Sequence, residues 1–407
     1  MTVDVDLTNP ADYQNGFPHA MFTALRAEGA VHHHPQVQLR EGQPPLDFWS
    51  VVRHAEVLQA NRDWQTFTAT DSVAIHKLPA LDTIVSLDPP RHTRLRRLII
   101  AGFTPRMIAK LEGLISSRSE QLLDDAAALG TCEYVADIAY PLPMHVIADI
   151  VGIPEAERPW VFERTDIFLR ALNPQNSLTL DDQATAQVDL FHYATELTDR
   201  KRLHPEDDVW TLIANAEITD DDGTLHSLEG LELEMFFLIL AVAGSETTRN
   251  ALSQGLLALT EHPDQITELR ANPDGWATAA DEILRWASPV LYFARTATGD
   301  TVLGDQQIEA GDRVVLWYPS ANRDDLVFDQ PFRFDTQRRP NPHVSFGGGG
   351  PHYCLGANLA RLEIQVLTAA VLRRFDVEVL DLPTWTGGPH TNVGLSVDHL
   401  HVRLTPR

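Results

Sequence analysis

Four consecutive glycines and a nearby cysteine, set just ahead of a helix, constrain this chain more than any other stretch. The run reads Phe346-Gly347-Gly348-Gly349-Gly350-Pro351-His352-Tyr353-Cys354-Leu355-Gly356, and an amphipathic segment, Ala357 to Phe375, follows at once. That segment predicts a helix, so Cys354 stands at a helix start. Unpaired N–H groups and the positive dipole end favour a thiolate there. Glycines let the backbone pass close to something flat or bulky and aim N–H groups at the sulfur. A thiolate held this way suits a soft or borderline metal. From the residues alone, an inert cysteine in a glycine turn and a catalytic thiol activated by His352 stay open. A phosphate loop is disfavoured, because no Gly-Lys-Ser/Thr follows.

Composition removes other classes. With 32 basic and 57 acidic residues the formal net charge is −25, which repels phosphate backbones and argues against nucleic acid. Cys132 and Cys354 are the only cysteines, so no disulfide framework is expected and a cytoplasmic setting is natural. Met1 to Pro10 carries Asp4, Asp6 and no basic residue, unlike a targeting peptide. The longest apolar run, Met235 to Gly244, falls short of the roughly 20 residues that span a bilayer. No repeat or linker divides the chain, so one monomeric domain over residues 1–407 is expected.

The patterning predicts a mostly α fold with small β-sheets. Helices are expected around Phe17 to Glu28, His54 to Ala60, Pro105 to Ala128, Pro143 to Val151, Asp182 to Lys201 and Ser227 to Glu261, the last with Ser227 as N-cap. Strands are expected at Phe48 to Val52, Thr301 to Ile308, Arg313 to Tyr318, Asp376 to Val379 and His401 to Leu404.

The long helix carries Ala243-Gly244-Ser245-Glu246-Thr247-Thr248. Phe236, Leu240, Ala243 and Thr247 share one helical face, an apolar stripe that ends in a hydroxyl. Read without context, Thr247 could bond back to a carbonyl and Glu246 could pair with Arg249 or Asn250. In Asp88 to Arg97, His92 and Arg96 share a face at i and i+4, although a charge run is ordinarily solvated. Glu282 and Arg285 lie one turn apart and can pair. His32-His33-His34 is read as a solvated loop, Cys132 as a structural thiol and Asp220-Asp221-Asp222-Gly223 as a turn.

Phe346, Gly348, Gly350, His352, Cys354 and Gly356 together resemble the signature of the cytochrome P450 family of haem-thiolate monooxygenases. Phe346 stands eight residues before the cysteine, where seven is commoner; this longer loop is similar to that of actinobacterial members that oxidise sterols and branched lipids. The resemblance runs from about Phe17 to the C-terminus. It implies the family's fold, a long central helix over a buried haem b, with Cys354 as iron ligand. It assigns oxygen activation to Thr247, proton relay to Glu246 and an oxygen pocket to Ala243 and Gly244. His92, Arg96, Arg295 and His352 are implied as propionate contacts, with Phe346 and Gly356 flanking the cofactor. Glu282-Ile283-Leu284-Arg285 matches the family's Glu-x-x-Arg, which Arg333, or alternatively Arg338, would complete as a buried network. The implied pocket is lined by Phe236, Leu240 and Ala243, by Val290, Leu291, Tyr292 and Phe293, and by Val73, Ile75, Leu78, Leu81, Ile84 and Val85, with Lys77, His76 or Tyr292 as a polar handle.

The implied reaction is hydroxylation of an apolar small molecule (a sterol, branched lipid or terpenoid) with O2. Electrons would come from a ferredoxin and its NAD(P)H-dependent reductase, docking near Arg94 and Arg97. A peroxide-using haem-thiolate enzyme and a non-catalytic haem or gas sensor are the alternatives. Glu246-Thr247 argues against the first, and the lack of an output domain against the second.

Overall fold

The computed structural model describes residues 6–38, 45–75, 83–100, 105–171, 177–219, 223–389 and 394–407, without the side chains of 105–110, 218 and 273. Helical periodicity governs most of the chain. The helices in order are α1 (His19–Glu28), α2 (His54–Arg62), α3 (Arg91–Ile100), α4 (Pro105–Leu129), α5 (Pro141–Val151), α6 (Arg158–Arg170), α7 (Leu180–Leu203), α8 (Val209–Ala214), α9 (Leu231–Glu261), α10 (Pro263–Ala271), α11 (Trp276–Ala287), α12 (Tyr318–Ala321) and α13 (Ala357–Arg374). Local signals mark the ends. Thr179 and Asp182 form a reciprocal capping box at α7, and Gly152 closes α5 in the left-handed region.

With 31 residues, α9 is about 46 Å long. It runs through the middle of the molecule, packed on α5, α7, α11 and α13, and its apolar residues join the largest core cluster. The helix starts at Leu231, not at Ser227. Ser227 instead closes the strand Leu225–Ser227, which pairs with Glu217–Thr219; the hairpin takes up the residues that a longer helix would need. No helix among the described residues is long and apolar enough to cross a membrane.

A five-stranded sheet joins the N-terminal part of the chain to residues 292–317, in the order Val31–Val37, Leu46–Val51, Arg313–Trp317, Tyr292–Ala297, Phe67–Thr68. The three histidines sit in its first strand and are not a solvated loop. His32 and His34 are buried. His32 Nε2 lies 2.9 Å from the Leu25 carbonyl, His34 stacks on Phe48 and His33 on Trp49. The aromatic partners on Leu46–Val51 draw them into the sheet. The expected strand Thr301 to Ile308 is a hairpin, Thr301–Leu303 with Gln306–Ile308, because Gly304 takes a positive φ of 59° and turns the chain. Asp220, Asp221 and Asp222 lie outside the described residues. Cys132 is buried in the strand Thr131–Glu133.

Candidate active site

A cavity of about 250 Å³ opens between α9, α13, α3 and the glycine loop. Cys354 presents its side chain to it. The loop that carries Cys354 can be built only from glycine. Gly347, Gly348, Gly349 and Gly350 have φ of +88°, +68°, +118° and +77°. A Cβ on Gly350 would stand 2.6 Å from the Asn61 carbonyl oxygen, and one on Gly348 2.2 Å from a Leu58 methyl. Arg62 at the end of α2 holds the loop, its Nε and Nη2 donating to Gly348 O at 3.1 and 2.9 Å. The Cys354 N–H donates to Phe346 O at 3.1 Å. Cys354 is exposed, to the cavity it lines; desolvation by the surrounding protein pushes its thiol up, while the Gly356 N–H and the charges of Arg96 and Arg361 pull it down.

One part of the cavity wall is polar and cationic. His92, Arg96, Arg295 and His352 all line it. Arg295 is 2 % exposed, yet it bonds only the Ala294 carbonyl and Asn61 Oδ1, with no carboxylate in ion-pair range among the described residues. His92 Nδ1 and His352 Nε2 are buried without a hydrogen-bond partner, and the two rings lie 4.5 Å apart. Asp88 Oδ1 is 3.6 Å from His352 Nε2, within ion-pair range but too far for a hydrogen bond. Burial first, then the neighbouring His352 and Arg96, lower the His92 pKa to about 4. Buried cations and donors without counter-charge are costly, and an anionic group with several acceptor oxygens would relieve them.

The α9 wall carries the stripe of Phe236, Leu240, Ala243 and Thr247, with Gly244 beside it. Thr247 Oγ1 donates to Ala243 O at 2.8 Å, which leaves its lone pairs free to accept. Glu246 does not line the cavity; its Oε1 lies 3.8 Å from Arg249 Nη2 and 3.4 Å from Ser396 Oγ. The local back-bond and the Arg249 pairing are thus both present. Gly244 has a packing reason as well: a Cβ there would stand 2.7 Å from Ile147 Cδ1 of α5.

Val290, Phe293, Ile84 and Val85 line the cavity, and so do Phe346 and Gly356. Leu291 and Ile75 do not. Both are buried in a second core with Phe22 and Trp317. Tyr292 turns the same way, its hydroxyl 3.4 Å from Pro389 O, so it offers no handle to a ligand. Val73 is also absent from the wall; its carbonyl accepts from the Ala294 N–H. His76, Lys77, Leu78 and Leu81 lie outside the described residues.

Behind the loop, Glu282 and Arg285 are fully buried and bonded twice, at 2.7 Å each. The third member is Arg338, whose Nε reaches both Glu282 oxygens at 3.3 and 3.2 Å. The Arg333 side chain is exposed; only its carbonyl takes part, accepting from Arg285 and Arg338. Two cavity residues escape a reading of motifs. Asn61 is the next-to-last residue of α2. Glu363 is buried on α13, its pKa pushed up to about 8 by desolvation; the lone acid on an apolar helix face was its only signal.

Fold and site together define a helical protein that gathers a cysteine thiol, unpaired cationic donors and an apolar wall around one internal cavity. Those donors fit a flat cofactor that carries carboxylates. The cytochrome P450 family profile matches residues 277–389. Cytochrome P450 126 of Mycobacterium tuberculosis is 41 % identical over 98 % of this chain and 97 % of its own. The methyl-branched lipid omega-hydroxylase of Mycobacterium bovis is 38 % identical over 85 % of this chain and 82 % of its own. The steroid C26-monooxygenase of Rhodococcus jostii is 38 % identical over 90 % and 78 %. A Mycobacterium marinum cytochrome P450 solved with pseudoionone superposes with a TM-score of 0.88 at 35 % identity, covering 99 % of each chain. The chain belongs to the cytochrome P450 family and is a monooxygenase of that family.

Proposed function

We propose that this chain hydroxylates a large apolar substrate (a branched lipid, sterol or terpenoid) with haem b ligated by Cys354 and electrons from a ferredoxin and its reductase. The overall change is R–H + O2 + 2e− + 2H+ to R–OH + H2O. The observation that carries the reading is the cavity itself, which joins one cysteine, unpaired cationic groups and an apolar wall. Haem held there by Cys354 would supply oxygen activation, which a thiolate ligand promotes.

The chain's own residues do the rest. His92, Arg96, Arg295 and His352 hold the propionates, whose charge supplies the counter-ion that buried Arg295 lacks and whose oxygens accept from the unpartnered His92 and His352 ring nitrogens. Thr247 accepts and donates a proton at Oγ1 on the α9 wall. Glu246, held by Arg249, supplies protons from the solvent side. Phe236, Leu240, Val290, Phe293, Ile84 and Val85 exclude water and bind substrate, at about 25 cal/mol per Å² buried before association costs. The relatives named for branched-lipid and steroid oxidation support this class.

Two measurements test it. The ferrous–CO spectrum should carry the red-shifted Soret band of thiolate ligation in the wild type and lose it in Cys354→Ser. In a ligand panel graded by size, sterols and long branched chains should give the tightest Soret-shift binding. Tighter binding by small aromatics would reject the large-substrate reading.

A further inference from the structure

Asn61 stands out on the cationic part of the wall. It is 3 % exposed and lines the cavity beside Arg295 and His352. Its Oδ1 accepts from Arg295 Nη2 at 3.3 Å and from the Tyr318 hydroxyl at 3.4 Å. A guanidinium can only donate, so the amide orientation follows from its partners: oxygen toward Arg295, nitrogen away from it. Nδ2, with two N–H groups, is buried and has no partner. Leaving such a donor unmade is unfavourable.

The position of Asn61 is also fixed from outside. Its backbone carbonyl abuts Gly350 so closely that no Cβ fits there, and Arg62 is tied to Gly348 O. The side chain therefore stands on a locked turn of α2 rather than on a free helix end.

Resting on the haem reading above, we propose that Asn61 is a further carboxylate ligand of the cofactor, its Nδ2 donating to a propionate while its Oδ1 holds Arg295 in place. An amide suits this place because it faces a cation with its oxygen and an anion with its nitrogen. No motif marks the residue; only the end of α2 folded against the loop brings it to the wall.

The test uses the holoprotein and Asn61→Asp. Aspartate keeps both acceptor contacts to Arg295 and Tyr318, so a merely structural role predicts haem retention equal to or better than wild type. A propionate-binding role predicts the reverse, because a carboxylate replaces the donor and faces a second carboxylate. Haem transfer to excess apomyoglobin at neutral pH should be about tenfold faster in Asn61→Asp, a factor worth ~1.4 kcal/mol, and the propionate bending band in resonance Raman should shift. Asn61→Leu, which removes the donor without adding charge, should lie between the two. Haem loss within twofold of wild type in both variants, with the band unmoved, would overturn the assignment. A wild type that takes up no haem would instead refute the haem reading on which the assignment stands.

Discussion

Arg338 and Arg333 stand five positions apart in sequence, yet their losses should differ several-fold in stability. Arg338 is 8 % exposed. Its guanidinium makes five contacts: two to Glu282, and one each to the carbonyls of Asp329 at 2.7 Å, Gln330 at 3.3 Å and Arg333 at 2.9 Å. Gln330 has a positive φ of 46°, so its carbonyl contact also helps hold a backbone shape that an L residue resists. In Arg338→Met, Glu282 keeps Arg285, the Asp335 N–H and Asn341 Nδ2, and Arg333 O keeps Arg285. The carbonyls of Asp329 and Gln330 lose their guanidinium partner. Removing one member of a buried ion pair costs about 3–5 kcal/mol. The surviving partners of Glu282 place this substitution toward the low end, about 3 kcal/mol. Arg333→Ala removes an exposed side chain while its carbonyl stays, and should stay within about 0.5 kcal/mol. Urea unfolding followed by circular dichroism measures both, as a shift in midpoint at constant slope. Equal midpoints for Arg338→Met and Arg333→Ala would refute the assignment of Arg338 as the third member.

Thr247→Ala should uncouple the reaction: oxygen and NAD(P)H are still consumed while hydroxylated product falls and hydrogen peroxide rises, read by oxygen electrode and product analysis; unchanged coupling removes Thr247 from the mechanism. Glu363 has its folded pKa raised from 4.5 to about 8, so the neutral carboxyl is the form that the fold favours. Its stabilising contribution is complete below about pH 4.5 and is lost as pH rises toward 8. Glu363→Gln should flatten the fall in urea midpoint between pH 5 and 8.5, and an unchanged pH slope would count against a titrating Glu363. Charge reversal at half-buried Arg94 and exposed Arg97 should slow ferredoxin reduction and weaken its salt dependence. Soret-shift titration should show substrate affinity intact; if affinity fell as far as the rate, these residues would belong to the fold or the pocket.

Much of the fold was legible because its signals are local. Apolar periodicity marks α4, α7 and α9, and the glycine run marks a loop whose backbone other residues cannot follow. The α9 stripe was legible too, since Phe236, Leu240, Ala243 and Thr247 share a face by spacing alone. What stayed hidden depends on partners distant in sequence. Nothing near Arg333 or Arg338 tells which one turns toward Glu282. The inward turn of Val290 and the outward turn of Leu291 are set by what lies on either side of the segment, the cavity and the second core. The three histidines read as polar until Phe48 and Trp49 lie beneath them. Ser227 looked like a cap because a hairpin of three-residue strands leaves almost no pattern. Asn61 carries no local signal at all.

The pairing of Leu46–Val51 with Arg313–Trp317 has a consequence for how the protein is made. Trp49 meets Val314 in that parallel register, across roughly 265 residues of chain, and the same end of the molecule is tied by Arg26 to Ser320 and by Arg53 to Asp324. At about 5–20 residues per second, the ribosome needs roughly 13–53 s to deliver the central strand after the N-terminal one has emerged. During that interval Leu46–Val51 can pair on one side only, with Val31–Val37, and an isolated two-stranded hairpin is marginal in water. Phe48, Val51 and the other side chains destined for that sheet stay open to solvent and to neighbouring nascent chains. The N-terminal strands therefore wait without their central partner until Arg313–Trp317 emerges, and slower elongation anywhere between the two prolongs that wait.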